Sequence, residues 1–400
     1  MLFNACGNVV ISIDGPTFID IPSDEEATDN PVIPIEDLNA VIPNFNYSVT
    51  KEKDSNNKDW YVIRLDLTGV QDPYTKDWIR LYGPGSSKPQ NVWLSIDDMP
   101  KGFSISNTID DAHDQVPIDI VFLVDNSTSM SEEAEAIYND IIHWQEELAD
   151  KKLDVRFGCV GYGGFVSGAI NLTSASQMKE YLGEKSWTSN VNGVWRTRGF
   201  GGDDAAALEA AAQDPNYRVV NSSYVYTNWS APDSYECGVM ALRYANDHFT
   251  FRQGANRVYV NLTDEPNQPN GKYDLFSTQW VKDNWTTTLG TIHTVYTERA
   301  SWRNDYQSYL DVNYPWDLSL CTGGTILFTN SDFRDINGKK VGLSDLPVSS
   351  AMQNSYIIRF TNIENLFDGN EHSVHITVKS ASTEGPVLAD RTFGIVFVKP

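Results

Sequence analysis

The sequence predicts an α/β domain, built on a mostly parallel sheet with helices on both faces and set between two β-rich flanks. Two patterns carry this prediction. From about residue 116 to 335, short apolar strand patterns alternate with helical patterns, which is typical of parallel sheets covered on both faces. On either side, residues 46–115 and 336–400 show strand patterns bounded by turn residues. A chain of 400 residues has room for two or three domains.

The charge of the chain argues against two classes of partner. Its 54 acidic residues outnumber its 30 Lys and Arg residues, and the formal net charge is −24. Nucleic acids and anionic lipid surfaces both select basic patches, so we expect neither as a direct partner. An acidic surface attracts cations, and this suits a protein that binds a divalent metal ion.

The N-terminal region, residues 1–45, is predicted to be an acidic tether. It contains eight acidic residues and no Lys or Arg, a composition typical of solvated segments. Ala5-Cys6 resembles the end of a bacterial lipoprotein signal, in which a small residue precedes the lipidated cysteine; a chance Ala-Cys pair is the alternative. We therefore expect lipidation at Cys6, as in a surface lipoprotein of the Bacteroidetes type. The protein would then lie in the cell envelope, on the outer surface or in the periplasm, and only the lipid would enter the membrane.

The two flanks are expected to share one β-sandwich. Residues 60–67 and 91–96 form strand patterns in the first flank, and residues 356–361, 372–379 and 391–398 form them in the second. Small isolated sheets are marginally stable, so pairing between the flanks is the economical arrangement. The α/β domain would then be an insertion in the sandwich. Two separate small β modules are the alternative.

The middle region contains regularly spaced strand and helix patterns. Strands are predicted over residues 118–124, 155–162, 257–262, 291–296 and 324–328, and helices over 137–144, 177–182 and 236–245. The first strand is rich in β-branched and apolar residues, as expected for a strand buried on both faces.

Two of these strands run directly into oxygen-bearing side chains. The first ends at Asp125, followed by Ser127 and Ser129 in the pattern Asp-x-Ser-x-Ser. The strand over residues 257–262 runs into Thr263-Asp264-Glu265-Pro266. Loops at the carboxyl ends of parallel strands carry the ligand sites of open α/β sheets. Carboxylates and hydroxyls suit hard ions, so Mg²⁺ or Ca²⁺ is expected, and Mn²⁺ is also compatible. Asp125 could in addition cap the helix that follows.

This pair of motifs resembles the von Willebrand factor type A family, over roughly residues 116–335. The resemblance implies a doubly wound, Rossmann-like fold with a metal-ion-dependent adhesion site. It implies that Asp125, Ser127 and Ser129 hold the cation directly or through water, and that Asp264 helps through water. An open coordination position would accept an acidic side chain of a partner protein.

The family takes further metal-binding oxygens from a second loop, and two places in this chain could supply them. Asp203 follows a glycine turn, whereas Asp233 and Ser234 directly precede the helix that leads to the Asp264 strand. The sequence leaves both open. Glu265 is expected to orient Asp264 from outside the metal's own ligands.

The resulting prediction is a cell-surface binding module and not an enzyme. A metal-independent structural or assembly role in the envelope is the alternative. A metal-dependent hydrolase is less favoured, because Ser127 stands where one large class of phosphohydrolases has a second acid, and serine is a poor general acid or base. The sequence leaves open whether Cys237 and Cys321 form a disulfide.

Overall fold

A computed structural model describes residues 21–53, 59–107, 117–127, 129–131, 133–150, 153–185, 188–191, 194–197, 217, 219, 235–297, 316–348 and 354–399. Its strands are β1 (Asn46–Lys53), β2 (Asp59–Leu67), β3 (Val92–Ile96), β4 (Met99–Pro100), β5 (Ser104–Asn107), β6 (Ile118–Asp125), β7 (Val155–Tyr162), β8 (Val166–Thr173), β9 (Thr188–Val191), β10 (Val194–Thr197), β11 (Asn256–Thr263), β12 (Thr291–Thr297), β13 (Ile326–Thr329), β14 (Tyr356–Phe360), β15 (His372–Ser382) and β16 (Gly385–Ile395). Its helices are α1 (Ala134–Asp150), α2 (Ala175–Lys185), α3 (Gly238–His248), α4 (Tyr273–Phe276), α5 (Thr278–Asn284) and α6 (Asp317–Thr322).

A six-stranded sheet forms the centre of the α/β unit, with strand order β13-β12-β11-β6-β7-β8. All neighbouring pairs are parallel except β7 and β8, which are antiparallel. This confirms the predicted mixed α/β fold with a mostly parallel sheet. Numbered within the sheet, the order is 3-2-1-4-5-6, one of the two common doubly wound orders. The antiparallel edge strand β8 was not expected from the sequence.

Both faces of this sheet are covered, which explains why β6 is largely apolar. All eight residues of β6 are buried. Phe122 packs on one face in a core with Trp144 of α1, at a ring-centroid distance of 6.0 Å. Val121 and Leu123 point to the other face and share a core with α3. Because the side chains of a strand alternate, a strand between two helical layers is apolar at most positions, and the buried Asp119 of β6 pairs with Arg252 at 2.8 Å.

Strands from both flanks build two antiparallel four-stranded sheets, with orders β1-β2-β14-β5 and β16-β15-β3-β4. β14, from the C-terminal flank, pairs with β2 and β5 of the N-terminal flank. β15 likewise pairs with β3. One apolar core contains residues from both sheets, among them Leu65, Leu94 and Ile376. The two flanks therefore share their sheets and their core.

Residues 21–45 differ from the predicted tether, because they lie along the sandwich. Asp24 accepts hydrogen bonds from Lys101 Nζ at 2.9 Å and from the backbone N–H of Gly102 at 3.0 Å. Ile42 and Phe45 belong to the apolar core of the sandwich. Burial of each of these two side chains contributes roughly 1.5–3 kcal/mol to folding. This contribution explains why the segment packs on the sandwich although its composition is acidic. Residues 1–20, including Cys6, lie outside the described residues.

The sandwich contacts the α/β unit at the end where β11 begins. Asn256, the first residue of β11, accepts a hydrogen bond from the backbone N–H of Asn46 at 3.0 Å and donates one to the carbonyl of Asp66 at 3.2 Å. Asn46 also donates to the carbonyl of Ala255 at 2.7 Å. The carboxyl end of β11 therefore lies roughly 25 Å along the strand from this junction.

Candidate metal centre

The point where the strand order reverses lies between β6 and β11. These strands are parallel neighbours, with Val124 in register with Leu262. The chain leaves β6 toward α1, which packs on one face, and leaves β11 toward α4 and α5, which pack on the other. A crevice therefore opens at their carboxyl ends, the position at which doubly wound folds bind ligands. Asp125 and Asp264 lie there, each 1% exposed.

A hydrogen-bond network connects the four predicted metal-binding residues. Asp125 Oδ1 accepts a bond from the backbone N–H of Ser127 at 2.9 Å. The hydroxyls of Ser127 and Ser129 are 2.8 Å apart, and Ser129 Oγ donates to Asp264 Oδ1 at 3.0 Å. The structure thus brings together side chains that are far apart in the chain, since Asp125 and Asp264 are separated by 139 positions.

Thr263 ties the two strand ends to each other. Its hydroxyl donates to Asp125 Oδ2 at 2.8 Å, so both oxygens of Asp125 accept hydrogen bonds. The same hydroxyl accepts a bond from the backbone N–H of Glu265 at 3.1 Å. Glu265 is half-buried, and through its backbone it helps to orient Thr263. The predicted role of its side chain in orienting Asp264 stays a prediction.

A third acid, Glu236, joins Asp125 and Asp264. One carboxylate oxygen from each of the three residues lies within 4.8 Å of the others, and all three residues are buried. Glu236 is 6% exposed, and its Oε2 atom has no hydrogen-bond partner among the described residues. A buried carboxylate oxygen without a donor is costly, and a cation bound in the crevice would satisfy it.

The segment before α3 positions Glu236 at the crevice. The carbonyl of Glu236 accepts a hydrogen bond from Gln268 N–H at 2.7 Å, and the next residue, Cys237, donates its N–H to the carbonyl of Gly163 at 3.2 Å. A Cβ atom on Gly238 would lie 3.0 Å from Asn261 Oδ1, so glycine lets the first turn of α3 approach β11 closely. This backbone arrangement holds Glu236 beside the ends of β6 and β11.

Glu236 is not among the metal-binding residues that the sequence predicts. The predicted candidates for the second loop, Asp203, Asp233 and Ser234, lie outside the described residues. The available signal was that Glu236 is the last acid before the helix that leads to β11. The sequence prediction selected Asp233 and Ser234 because they precede that helix. Glu236 lies nearer to the start of the helix and therefore has the shorter path to the sheet.

The electrostatics of the cluster favour a bound cation. Burial, together with the neighbouring Asp264 carboxylate, raises the pKa of Asp125 to about 6. Burial and the Asp125 carboxylate also raise the pKa of Glu236 well above its ordinary value. Both groups therefore resist carrying negative charge in the ion-free protein. A hard divalent cation would stabilise the charged forms, and the donor set of carboxylates and hydroxyls fits such an ion.

The cysteines do not form the disulfide that the sequence left open. Cys159, Cys237 and Cys321 are all free thiols. Burial raises the pKa of Cys237 to about 12, and its thiol donates to Asn267 Oδ1 at 3.4 Å. Cys237 therefore packs as a small apolar residue beside Glu236.

Comparison with known proteins gives little. No protein-family model and no curated protein matches the chain. Among solved structures, it is similar to an aerotolerance-related membrane protein from Bacteroides fragilis (14% identity, 54% of this chain and 93% of that chain, TM-score 0.28). It is also similar to proximal thread matrix protein 1 from the mussel byssus (13%, 60% and 47%, 0.32) and to the pilus adhesin SpaC from Lactobacillus rhamnosus GG (11%, 87% and 47%, 0.33). These similarities are too low to bear on function.

Proposed function

We propose that this protein is a binding module of the cell envelope, of the von Willebrand factor type A kind, which uses a divalent cation to hold a partner protein. Asp125, Ser127, Ser129 and Asp264 would hold the ion. The observation that carries the proposal is the convergence of buried carboxylates and hydroxyls at the crevice between β6 and β11. When bound, the cation would supply an electropositive centre to which an acidic side chain of the partner can coordinate.

The spacing of the oxygens suits the expected ions. Calcium binds oxygen at about 2.3–2.6 Å, so ligands on opposite sides of the ion are about 4.6–5.2 Å apart. Magnesium binds at about 2.0–2.1 Å, and opposite ligands are then about 4.0–4.2 Å apart. Three carboxylate oxygens that all lie within 4.8 Å of one another can surround either ion after small side-chain rotations. Manganese, with similar oxygen chemistry, is the useful spectroscopic substitute.

The position of the crevice suits a binding role. It lies at the carboxyl end of β11, whereas the sandwich contacts the amino end of that strand through Asn256. The sandwich would act as a base from which the cation site faces outward. The net charge of −24 would repel an acidic partner elsewhere on the surface, so the cation would supply the local attraction.

Location in the cell envelope belongs to the same proposal. It is supported by the resemblance of Ala5-Cys6 to a lipidation signal. Among the described helices, none combines the length and apolar character needed to cross a bilayer. In this proposal a lipid on Cys6 is the attachment. Mass spectrometry of Cys6 after expression in a bacterium with lipoprotein processing would detect it, and an unmodified Cys6 would remove this part of the proposal.

Cation binding is tested by calorimetry with Mg²⁺, Ca²⁺ and Mn²⁺ on the wild type and on Asp264→Asn. We expect saturable binding of at least one ion by the wild type and its loss in the variant, because an amide oxygen carries no net charge to offset that of the ion. Asp274→Asn, at an exposed position in α4, is the matched control and should bind as the wild type does. If the wild type binds none of the three ions, the metal-independent structural role is the better account.

A further inference from the structure

The cluster contains one carboxylate more than the sequence motifs supply. Asp125 and Asp264 follow the two motif strands, whereas Glu236 enters from the segment before α3. Its carboxylate lies with the other two, within 4.8 Å, and its Oε2 atom has no hydrogen-bond partner among the described residues. The peptide group between Glu236 and Cys237 is held by the bonds from Gln268 and to Gly163. Glu236 is thus a fixed part of the crevice, and one of its carboxylate oxygens has no described donor.

We infer that Glu236 is a built-in carboxylate ligand that takes the coordination position a partner's carboxylate would use, so that partner capture requires Glu236 to leave the ion. This inference rests on the proposed function. The inference adds a regulatory step to that function. The cation site is closed in the protein without its partner, and it opens only when the Glu236 side chain rotates away.

The balance of charge supports a closed centre. Three ionised carboxylates and one divalent ion leave a net charge of −1, whereas two carboxylates would leave the centre neutral. A further carboxylate from outside would therefore approach a negative centre from an already acidic protein. Once Glu236 turns away, an open coordination position and a neutral centre appear together. Rotation about the bonds of the Glu side chain can achieve this without movement of the hydrogen-bonded backbone.

The closed centre also predicts tighter cation binding. Each anionic oxygen in direct contact with a divalent ion adds attraction, and the number of charged ligands tunes affinity in calcium sites. Glu236→Gln keeps the shape of the side chain, removes its charge and removes a buried acid, so the variant is expected to fold. Glu180→Gln is the matched control. It deletes the same charge at an exposed position in α2, outside the three-carboxylate cluster.

The experiment uses Mn²⁺ as the ion and acetate as the carboxylate probe, at mildly alkaline pH and constant ionic strength set with chloride. Calorimetry gives the Mn²⁺ affinity, and the relaxation of ¹³C-labelled acetate reports its direct binding to the loaded ion. We expect Glu236→Gln to bind Mn²⁺ about tenfold more weakly, which corresponds to about 1.4 kcal/mol, and to enhance acetate relaxation. Wild type and Glu180→Gln should bind Mn²⁺ equally and leave acetate relaxation unchanged.

Two results would overturn the inference while leaving the proposed function intact. One is a Mn²⁺ affinity in Glu236→Gln equal to that of the wild type. The other is enhanced acetate relaxation by the Mn²⁺-loaded wild type, a measurement that needs no variant to fold. By contrast, a wild type that binds no Mn²⁺, Mg²⁺ or Ca²⁺ would overturn both this inference and the proposed function.

Discussion

Substitution of Asp125 by Asn should stabilise the ion-free protein and remove its response to cations. Asp125 is buried, and both its oxygens accept hydrogen bonds, from Ser127 N–H and from the Thr263 hydroxyl. The amide oxygen of Asn can keep the first bond, and its NH₂ group can donate to the Thr263 hydroxyl, which can also accept. The variant therefore deletes a charge and preserves the shape of the crevice.

The magnitude follows from the pKa of Asp125. Burial and the Asp264 carboxylate raise it to about 6, from an ordinary value of 3.8. At about 1.4 kcal/mol per pH unit, the ionised carboxylate costs the folded state about 3 kcal/mol. Because the folded protein binds this proton more tightly than the unfolded chain does, the stability linked to Asp125 is fully present below about pH 4. It is lost as the pH rises through about 6, so the gain in Asp125→Asn should appear only at higher pH.

Urea unfolding in EDTA, repeated across this pH range, measures the effect. At mildly alkaline pH we expect Asp125→Asn to gain up to about 3 kcal/mol over the wild type, and near pH 4 we expect no difference. Calcium at about 100 times its Kd should stabilise the wild type by about 2.7 kcal/mol and leave the variant unchanged. A variant that is less stable than the wild type in EDTA at alkaline pH, or that keeps the full calcium response, would refute the reasoning.

Three further predictions concern other parts of the molecule. Arg252→Ala removes a guanidinium that lies 2.8 Å from Asp119, a residue that is 0% exposed. Urea unfolding should show a free energy of unfolding lower by about 3–5 kcal/mol, and a loss below about 1 kcal/mol would contradict the buried pair. Gly324→Ala places a Cβ against a backbone carbonyl of β12 and should abolish the hydrogen-exchange protection of the β13 amides. Gly163→Ala, whose Cβ would meet open space, should leave that protection unchanged. Equal protection in both variants would count against this packing. Cation affinity, measured by calorimetry, should fall as the pH drops through about 6, because a proton on Asp125 competes with the ion, and a flat profile would argue against that carboxylate as a ligand.

The sequence was informative where the deciding interactions are local or periodic. The largely apolar run that ends at Asp125 predicted a buried strand. The hydroxyls of Ser127 and Ser129 follow directly in the next loop. Glu236 was missed because its place in the cluster depends on the approach of α3 to β11, which the missing side chain of Gly238 makes possible. No spacing along the chain encodes that approach.

Two other differences have the same origin. The edge strand β8 contains Gly168 and polar residues, and it is a strand because β7 offers it an antiparallel partner. Ile42 and Phe45 lie in a segment whose acidic composition indicates solvation, yet the sandwich provides a core that accepts both side chains. In each case the partner surface is formed by residues distant in sequence, so composition and periodicity could not reveal it.

Anomalous diffraction from crystals grown with Mn²⁺ tests the central claim most directly. The account predicts a single strong peak in the crevice between β6 and β11, bonded to oxygens of Asp125, Glu236 and Asp264, with the hydroxyls of Ser127 and Ser129 in its coordination sphere. Crystals of a cation-saturated protein with no peak in that crevice, or with manganese bound only at other acidic residues, would contradict it.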